Sequence, residues 1–217
     1  MSTYYKILPE DLNCKGFQYH EGLNVDTNEI DEDEFSYGLH FAEAFHILGY
    51  CNHGSMIAEV EIPDNAVVYH YINKSKADRI ILKNIRPLWS AETLNALVQK
   101  GVNLGPYKDD VLRRAALNGD LGAVKYLVES GTNHYAICDA LQSASKYGHL
   151  NVVKYLVEQG ANVHAWSDHA LCDASENGHF DVVRYLVEQG ASVHSVKDYA
   201  FKFAGTTEIK EYLKSLL

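Results

Sequence analysis

From about residue 111 the apolar positions fall into a rhythm that returns every 29 or 30 residues. Gly119 precedes Gly148 by 29 and Gly148 precedes Gly178 by 30. The run ALQSASKYGHLNVVKYLVEQGANVHA starts at Ala140, and ALCDASENGHFDVVRYLVEQGASVHS starts at Ala170. Within a copy, Leu141 and Ala144 stand three apart ahead of Gly148, and Val152, Val153, Leu156 and Val157 follow it at helical spacing. The pattern predicts a helix, a left-handed glycine turn and a second helix closed by Gly160. Small residues Ala115, Ala116, Ala144, Ser145, Ala174 and Ser175 recur in the first helices, where they let neighbours approach closely. One such pair cannot bury its own apolar stripe. Stacking sets Val152, Leu156 and Val157 of one copy against Val182, Leu186 and Val187 of the next.

Three full units are expected at about 109–138, 139–168 and 169–198. A partial unit, ETLNALVQKGVNL, precedes them, and AFKFAGTTEIKEYLKSLL follows. The last keeps Ala204, Tyr212 and Leu213 and reads as having lost the internal glycine turn. Its polar Lys202, Lys210, Glu211 and Lys214 suit a cap whose outer face meets water.

Residues 1–87 do not share this rhythm and read as a separate small α+β domain. Short β-favouring runs occupy Tyr4 to Leu8, Gly16 to Tyr19, Met56 to Ile62, Ala66 to Tyr71 and Arg79 to Leu82, with a helix expected from Ala42 to Tyr50. The acidic stretch Asp26 to Glu34 reads as a solvated loop, and Pro87 marks the domain boundary. The expected fold class is multidomain: this α+β domain, then an all-α repeat solenoid over 88–217.

Composition narrows the function. Nineteen Lys and Arg against 29 Asp and Glu leave a formal charge of -10 in 217 residues, which disfavours nucleic acid and anionic membrane as partners. Cys14, Cys51, Cys138 and Cys172 lie far apart with no CxxC spacing, as free thiols in a reducing compartment would. The start MSTYYKILPEDLN lacks the basic and apolar regions of a secretory signal, and no run reaches the ~20 apolar residues of a membrane span. An intracellular protein is expected. Phosphate loops, GxSxG and HExxH are absent from the sequence, so no catalytic residue, cofactor or metal is assigned. His46 and His53 flank Cys51 as packing residues. His149 and His179, like His164 and His194, recur at the repeat spacing, but equivalent residues on stacked helices lie roughly 8–10 Å apart, too far to share one ion. They are expected to cap helices.

The signature GHLNVVKYLVEQGANV resembles the ankyrin repeat, and the resemblance extends over 88–217. The Thr-Pro-Leu-His opening of many ankyrin repeats is replaced by Asp139-Ala140-Leu141-Gln142 and His169-Ala170-Leu171-Cys172. A period of 30 against the usual ~33 implies shortened finger loops. Units carrying VVKYLVEQGA look like those of the ankyrin families of giant DNA viruses of amoebae, which implies a viral origin and the host cytoplasm as location.

Ankyrin proteins bind partners with their finger tips and first helices. By position this implies Arg113, Arg114, Leu117 and Asn118 in the first full unit, Gln142, Lys146 and Tyr147 in the second, and Asp173, Glu176 and Asn177 in the third. Tyr135, Trp166, Asp168 and Lys197 come from the fingers. Trp166, Tyr147 and Arg114 are the expected anchors. The resemblance implies a non-catalytic interaction module or adaptor for a host or viral protein. In the N-terminal region, Tyr37 to Cys51 followed by MIAEVEIPDN looks like the strand–helix–strand segment of ADP-ribosyltransferases. That likeness would give His20 the ribose-holding role and put His40 where the family has a nicotinamide-stacking tyrosine. ADRIILKNI, however, offers no glutamate. The alternative it implies is a transferase-like, degenerate head whose substrate the ankyrin arm recruits.

Overall fold

The computed structural model describes residues 3–194 and 203–217, apart from the Cys51 side chain. Backbone contacts divide the chain into two compact units, Met1–Tyr107 and Lys108–Leu217, so the division falls beyond the boundary expected at Pro87.

The first unit holds strands β1 (Tyr4–Leu8), β2 (Asn13–Cys14), β3 (Phe17–Gln18), β4 (Gly22–Val25), β5 (Leu39–Glu43), β6 (Met56–Glu61), β7 (Val68–His70), β8 (Ser75–Ala77) and β9 (Arg79–Pro87). Seven of them form one sheet in the order β4-β9-β6-β1-β5-β8-β7, antiparallel at every junction, and β2 and β3 form a hairpin. Leu8, Tyr19, Leu39, Phe41, Val60, Ile80 and Leu82 make its core. All five β-favouring runs contain or begin a strand.

The helix expected from Ala42 to Tyr50 is corrected: the segment is the end of β5, a turn, and a 3-10 helix over Ile47–His53. Ala42, Glu43 and Ala44 favour a helix locally, but Leu39 and Phe41 alternate into the core and β5 pairs on both sides, with β1 and β8. The acidic loop is solvent-facing as expected, yet it is built. Asp31 and Asp33 each accept the N–H two residues on, and Lys76 on β8 reaches under it to Asp33 O and Ser36 Oγ. Helix α1 (Ala91–Gln99), capped by Ser90, belongs to this unit. Lys100, just past its end, ties it to Glu59 on β6 at 2.7 Å.

The second unit is helical: α2 (Lys108–Leu117), α3 (Leu121–Glu129), α4 (His134–Lys146), α5 (Leu150–Glu158), α6 (Ala165–Glu176), α7 (Phe180–Glu188) and α8 (Thr207–Ser215). First helices α2, α4 and α6 pack in series, and second helices α3, α5, α7 and α8 pack in a parallel series. Ala115, Ala116, Ala144, Ser145, Ala174 and Ser175 are all buried, as the close approach of first helices requires. Val124, Leu127, Val153, Leu156, Val183, Leu186 and Leu213 are buried without measurable exposure and form the shared seam. Tyr155 and Tyr185 hold matching places on successive layers, each under a lysine of the previous layer, Lys125 at 5.5 Å and Lys154 at 5.7 Å from the ring centres.

The last unit keeps a glycine at the turn position but not the left-handed glycine turn itself. Gly205 does stand where Gly119, Gly148 and Gly178 stand in earlier units, although its φ lies outside the left-handed range those glycines share. A Cβ there would lie 2.6 Å from Glu176 O, so this glycine is required by close approach rather than by turn geometry.

Candidate partner-binding face

The first-helix face is held in register by polar contacts that step from unit to unit. Arg113 on α2 lies 2.5 Å from Asp110 and 3.9 Å from Asp139 on α4, and Gln142 on α4 donates to Asp173 on α6 at 2.8 Å. At the turns, His149 and His179 occupy N-cap positions, but neither side chain caps its own helix as expected. Each ring instead reaches back one layer and donates from Nε2, His149 to Leu117 O at 2.8 Å and His179 to Lys146 O at 2.9 Å. The rings lie flat under Gly119 and Gly148, where an added Cβ would meet Nδ1 at 2.5 Å. These histidines are staples between repeats. Among the described residues no group of three or more His, Cys, Asp or Glu could hold a metal ion.

The fingers carry a second recurring staple. Cys138 Sγ accepts the Asn162 N–H at 3.4 Å, and thirty residues later Asp168 Oδ1 accepts the Ser192 N–H at 2.9 Å. Asp168 also bonds His164 Nδ1 at 2.9 Å. Gly131 to Gly148 spans 17 positions and Gly160 to Gly178 spans 18, so the stretch between α5 and the close of α6 carries one residue more than its counterpart before it. That residue is taken up in a left-handed turn through Trp166, Ser167 and Asp168, with φ of 49°, 60° and 61°. Such backbone is costly without glycine, and the buried Asp168 carboxylate with its two partners holds it.

Of the expected contact residues, Asp168 is corrected. It is 2% exposed and committed inside its own finger, so it offers no side chain to a partner. Arg113, Arg114, Leu117, Gln142 and Asp173 are half-buried. Asn118 and Asn177 are exposed, yet each donates to the carbonyl four residues back, at 2.8 Å, and closes its own helix. Lys146 and Glu176 are exposed. Tyr135 is 80% exposed, Tyr147 48% and Trp166 45%. Lys197 and Lys202 lie outside the described residues. The sequence reading missed the two staples as such, although the thirty-residue recurrence of His149 with His179 and of Cys138 with Asp168 was there to find.

Cys138 and Cys172 are buried, and burial pushes Cys172 up to about 11. In the N-terminal unit, His20 is exposed and bonds Glu21 O at 2.8 Å. His40 lies on β5 with its Nε2 3.2 Å from Glu34 O. His53 Nδ1 turns to Tyr50 O at 3.1 Å.

Comparison with known proteins gives two family matches, a run of three ankyrin repeats over residues 112–197 and a domain of unknown function (DUF7666) over residues 2–91. An ankyrin repeat protein of Acanthamoeba polyphaga mimivirus is 35% identical over 141 residues, 61% of this chain and 69% of the relative. The chain belongs to the ankyrin-repeat proteins. A second ankyrin repeat protein of that virus is 30% identical over 59% of this chain and 41% of its own length. An uncharacterised mimivirus protein is 31% identical over 59% of this chain and 99% of itself. For this ankyrin-repeat protein the recurring VVKYLVEQG and VVRYLVEQG segments are therefore α5 and α7 and their caps, and the stapled histidines belong to the repeat itself. Among the described residues no helix is long and apolar enough to cross a membrane.

Proposed function

We propose that the protein is a non-catalytic adaptor that grips another protein with the first-helix face and fingers of a short ankyrin solenoid. The observation that carries this is the exposure of Tyr135 on α4, Tyr147 at its C-cap and Trp166 in the finger turn that opens α6, beside helices joined by inter-repeat staples. Exposed aromatics with few rotatable bonds, on a pre-organised frame, lose little entropy on binding. On the same face the two α2 arginines are matched by Asp110, and Arg113 by Asp139 as well, which leaves Lys146 and Glu176 as its exposed charges for a partner to meet. Mimivirus relatives support a partner of amoebal-host or viral origin and a site of action inside the host cell.

The transferase-like alternative for the N-terminal unit draws no comparable support. His20, its ribose-holding candidate, turns to a neighbouring carbonyl at the surface and is not among the residues that line the cavity of about 730 Å³ in that unit. The adaptor reading is tested by capture from amoebal lysate with the full chain and with a Tyr147→Ala/Trp166→Ala double variant, followed by affinity measurement on the recovered protein. A tenfold or greater loss in the variant is expected. Equal capture by both would reject this face as the contact surface.

A further inference from the structure

Two lysines are buried in the N-terminal unit, and the structure treats them differently. The Lys76 side chain has no exposure, and its ammonium is matched by Asp33 O, by Ser36 Oγ at 2.6 Å and by the Asp31 carboxylate at 3.6 Å. All three of its donors have a place to go. Lys6, on the central strand β1, is 6% exposed and has one hydrogen bond, to His40 O at 2.6 Å, with the Tyr19 ring 4.5 Å away. Among the described residues no carboxylate lies within ion-pair reach of it. A buried ammonium with donors to spare and no counter-charge is expensive to keep, and structural lysines avoid that state.

Lys6 lies in the wall of a cavity of about 730 Å³, within the size range that holds small organic ligands. Aromatic rings stand in the wall near it, Phe17 and Tyr19 from the hairpin and its end and Phe41 from the sheet. Phe35 and Tyr37, from the acidic loop, also line the cavity yet remain 85% and 63% exposed. Two large rings left in water beside an aromatic-walled cavity are surface that a ligand with an apolar body would cover. Neither acidic group of the wall is within ion-pair reach of Lys6. Glu34 pairs with Lys74 at 3.4 Å, and Asp26 accepts the Gly38 N–H at 3.0 Å. Positive charge is thus left unmatched at Lys6.

We propose that this cavity is a binding site for a small organic anion, a flat apolar or aromatic body bearing one carboxylate or sulfonate, whose charged end is received by Lys6. The anion takes the donors that the His40 carbonyl leaves free, and the flat body lies between the aromatic walls. Burial pushes Lys6 down to about 8, as expected of an ammonium lacking its anion.

The test uses the full chain and the fluorescent probe 8-anilinonaphthalene-1-sulfonate. Saturable binding of one probe per chain is expected, weakened at least tenfold by Lys6→Met and left within twofold by Lys83→Met, which removes an exposed lysine outside the cavity. Near-UV circular dichroism of each variant reports whether the fold is kept. Competition on the wild type alone makes the test independent of any variant. 2-Naphthoate should displace the probe at least tenfold more effectively than the uncharged 2-naphthamide. Equal displacement by acid and amide, unchanged affinity in a folded Lys6→Met protein, or no saturable binding would each overturn the proposal.

Discussion

Lys6 shows how one side chain can work against the stability of the unit that holds it. Its folded value of about 8 is below the 10.5 of an unperturbed lysine, so between those two pH values the unfolded chain holds the proton more tightly than the folded one. Stability of the N-terminal unit should therefore rise as pH increases from about 8 towards 10.5. At pH 7 the penalty is largely in force, and Lys6→Met should raise stability by about 2–3 kcal/mol, less what the His40 hydrogen bond and Tyr19 contact contributed. Urea unfolding followed by hydrogen exchange of the β1 amides would measure both effects. A variant less stable than wild type at pH 7 would contradict the account. Polar residues inside strands also explain what the sequence concealed here. Asn24 on β4 is 1% exposed because its amide bonds His20 O and Gly22 O, and Lys76 on β8 is buried under the acidic loop. Pattern reading assigns Asn and Lys to the surface, so β4 and β8 were not legible, whereas the apolar alternation of β1 and β6 was.

At the scale of elements, the repeat was legible because each layer presents the same demands to the next, and the staples make those demands testable. Leu156 is fully buried in the seam between α5 and its neighbours, and Leu156→Ala should cost about 2–5 kcal/mol by leaving a cavity. Gly148 meets two constraints at once, a φ of +75° and the His179 ring against its Cα. Gly148→Ala is thus expected to cost at least about 1–3 kcal/mol, from backbone strain together with displacement of the staple. His179→Ala alone should cost about 1 kcal/mol for its hydrogen bond. In the double variant the ring that clashes is gone, so the two losses should sum to more than the measured total. A double-mutant cycle by chemical denaturation measures this, and strict additivity would mean the ring and the glycine are not coupled. The left-handed turn at Trp166, Ser167 and Asp168 belongs to this scale too. Its positive φ values are set by Asp168, His164 and the Ser192 amide, groups up to 28 residues apart, and no local rule could have read it.

For the whole molecule the question is where one unit ends, and the apolar pattern and the packing give different answers. LNALVQKG in α1 resembles the close of a repeat, which placed the boundary before it, at Pro87. In the structure Leu94 and Leu97 of α1 are fully buried, α1 lies in the unit that runs to Tyr107, and Glu59 on β6 receives both Lys100 at 2.7 Å and Arg86 at 3.6 Å. The Lys100 hydrogen bond is the first of the causes that hold the Glu59 carboxyl below the usual range. A lowered folded value stabilises above the unfolded one and is lost as pH falls through the folded one, so this tether should weaken only in acid. Fragments ending at Pro87 and at Tyr107 should accordingly differ. The shorter one lacks α1 and with it the Lys100 tether to Glu59, and should be the less stable of the two. The longer one should melt cooperatively, and Glu59→Gln should lower its stability by up to about 1 kcal/mol at pH 7 with the difference vanishing in acid. If calorimetry gave the two fragments equal melting temperatures, α1 would have no structural claim on the sheet, and the division at Pro87 read from the repeat pattern would be the better one.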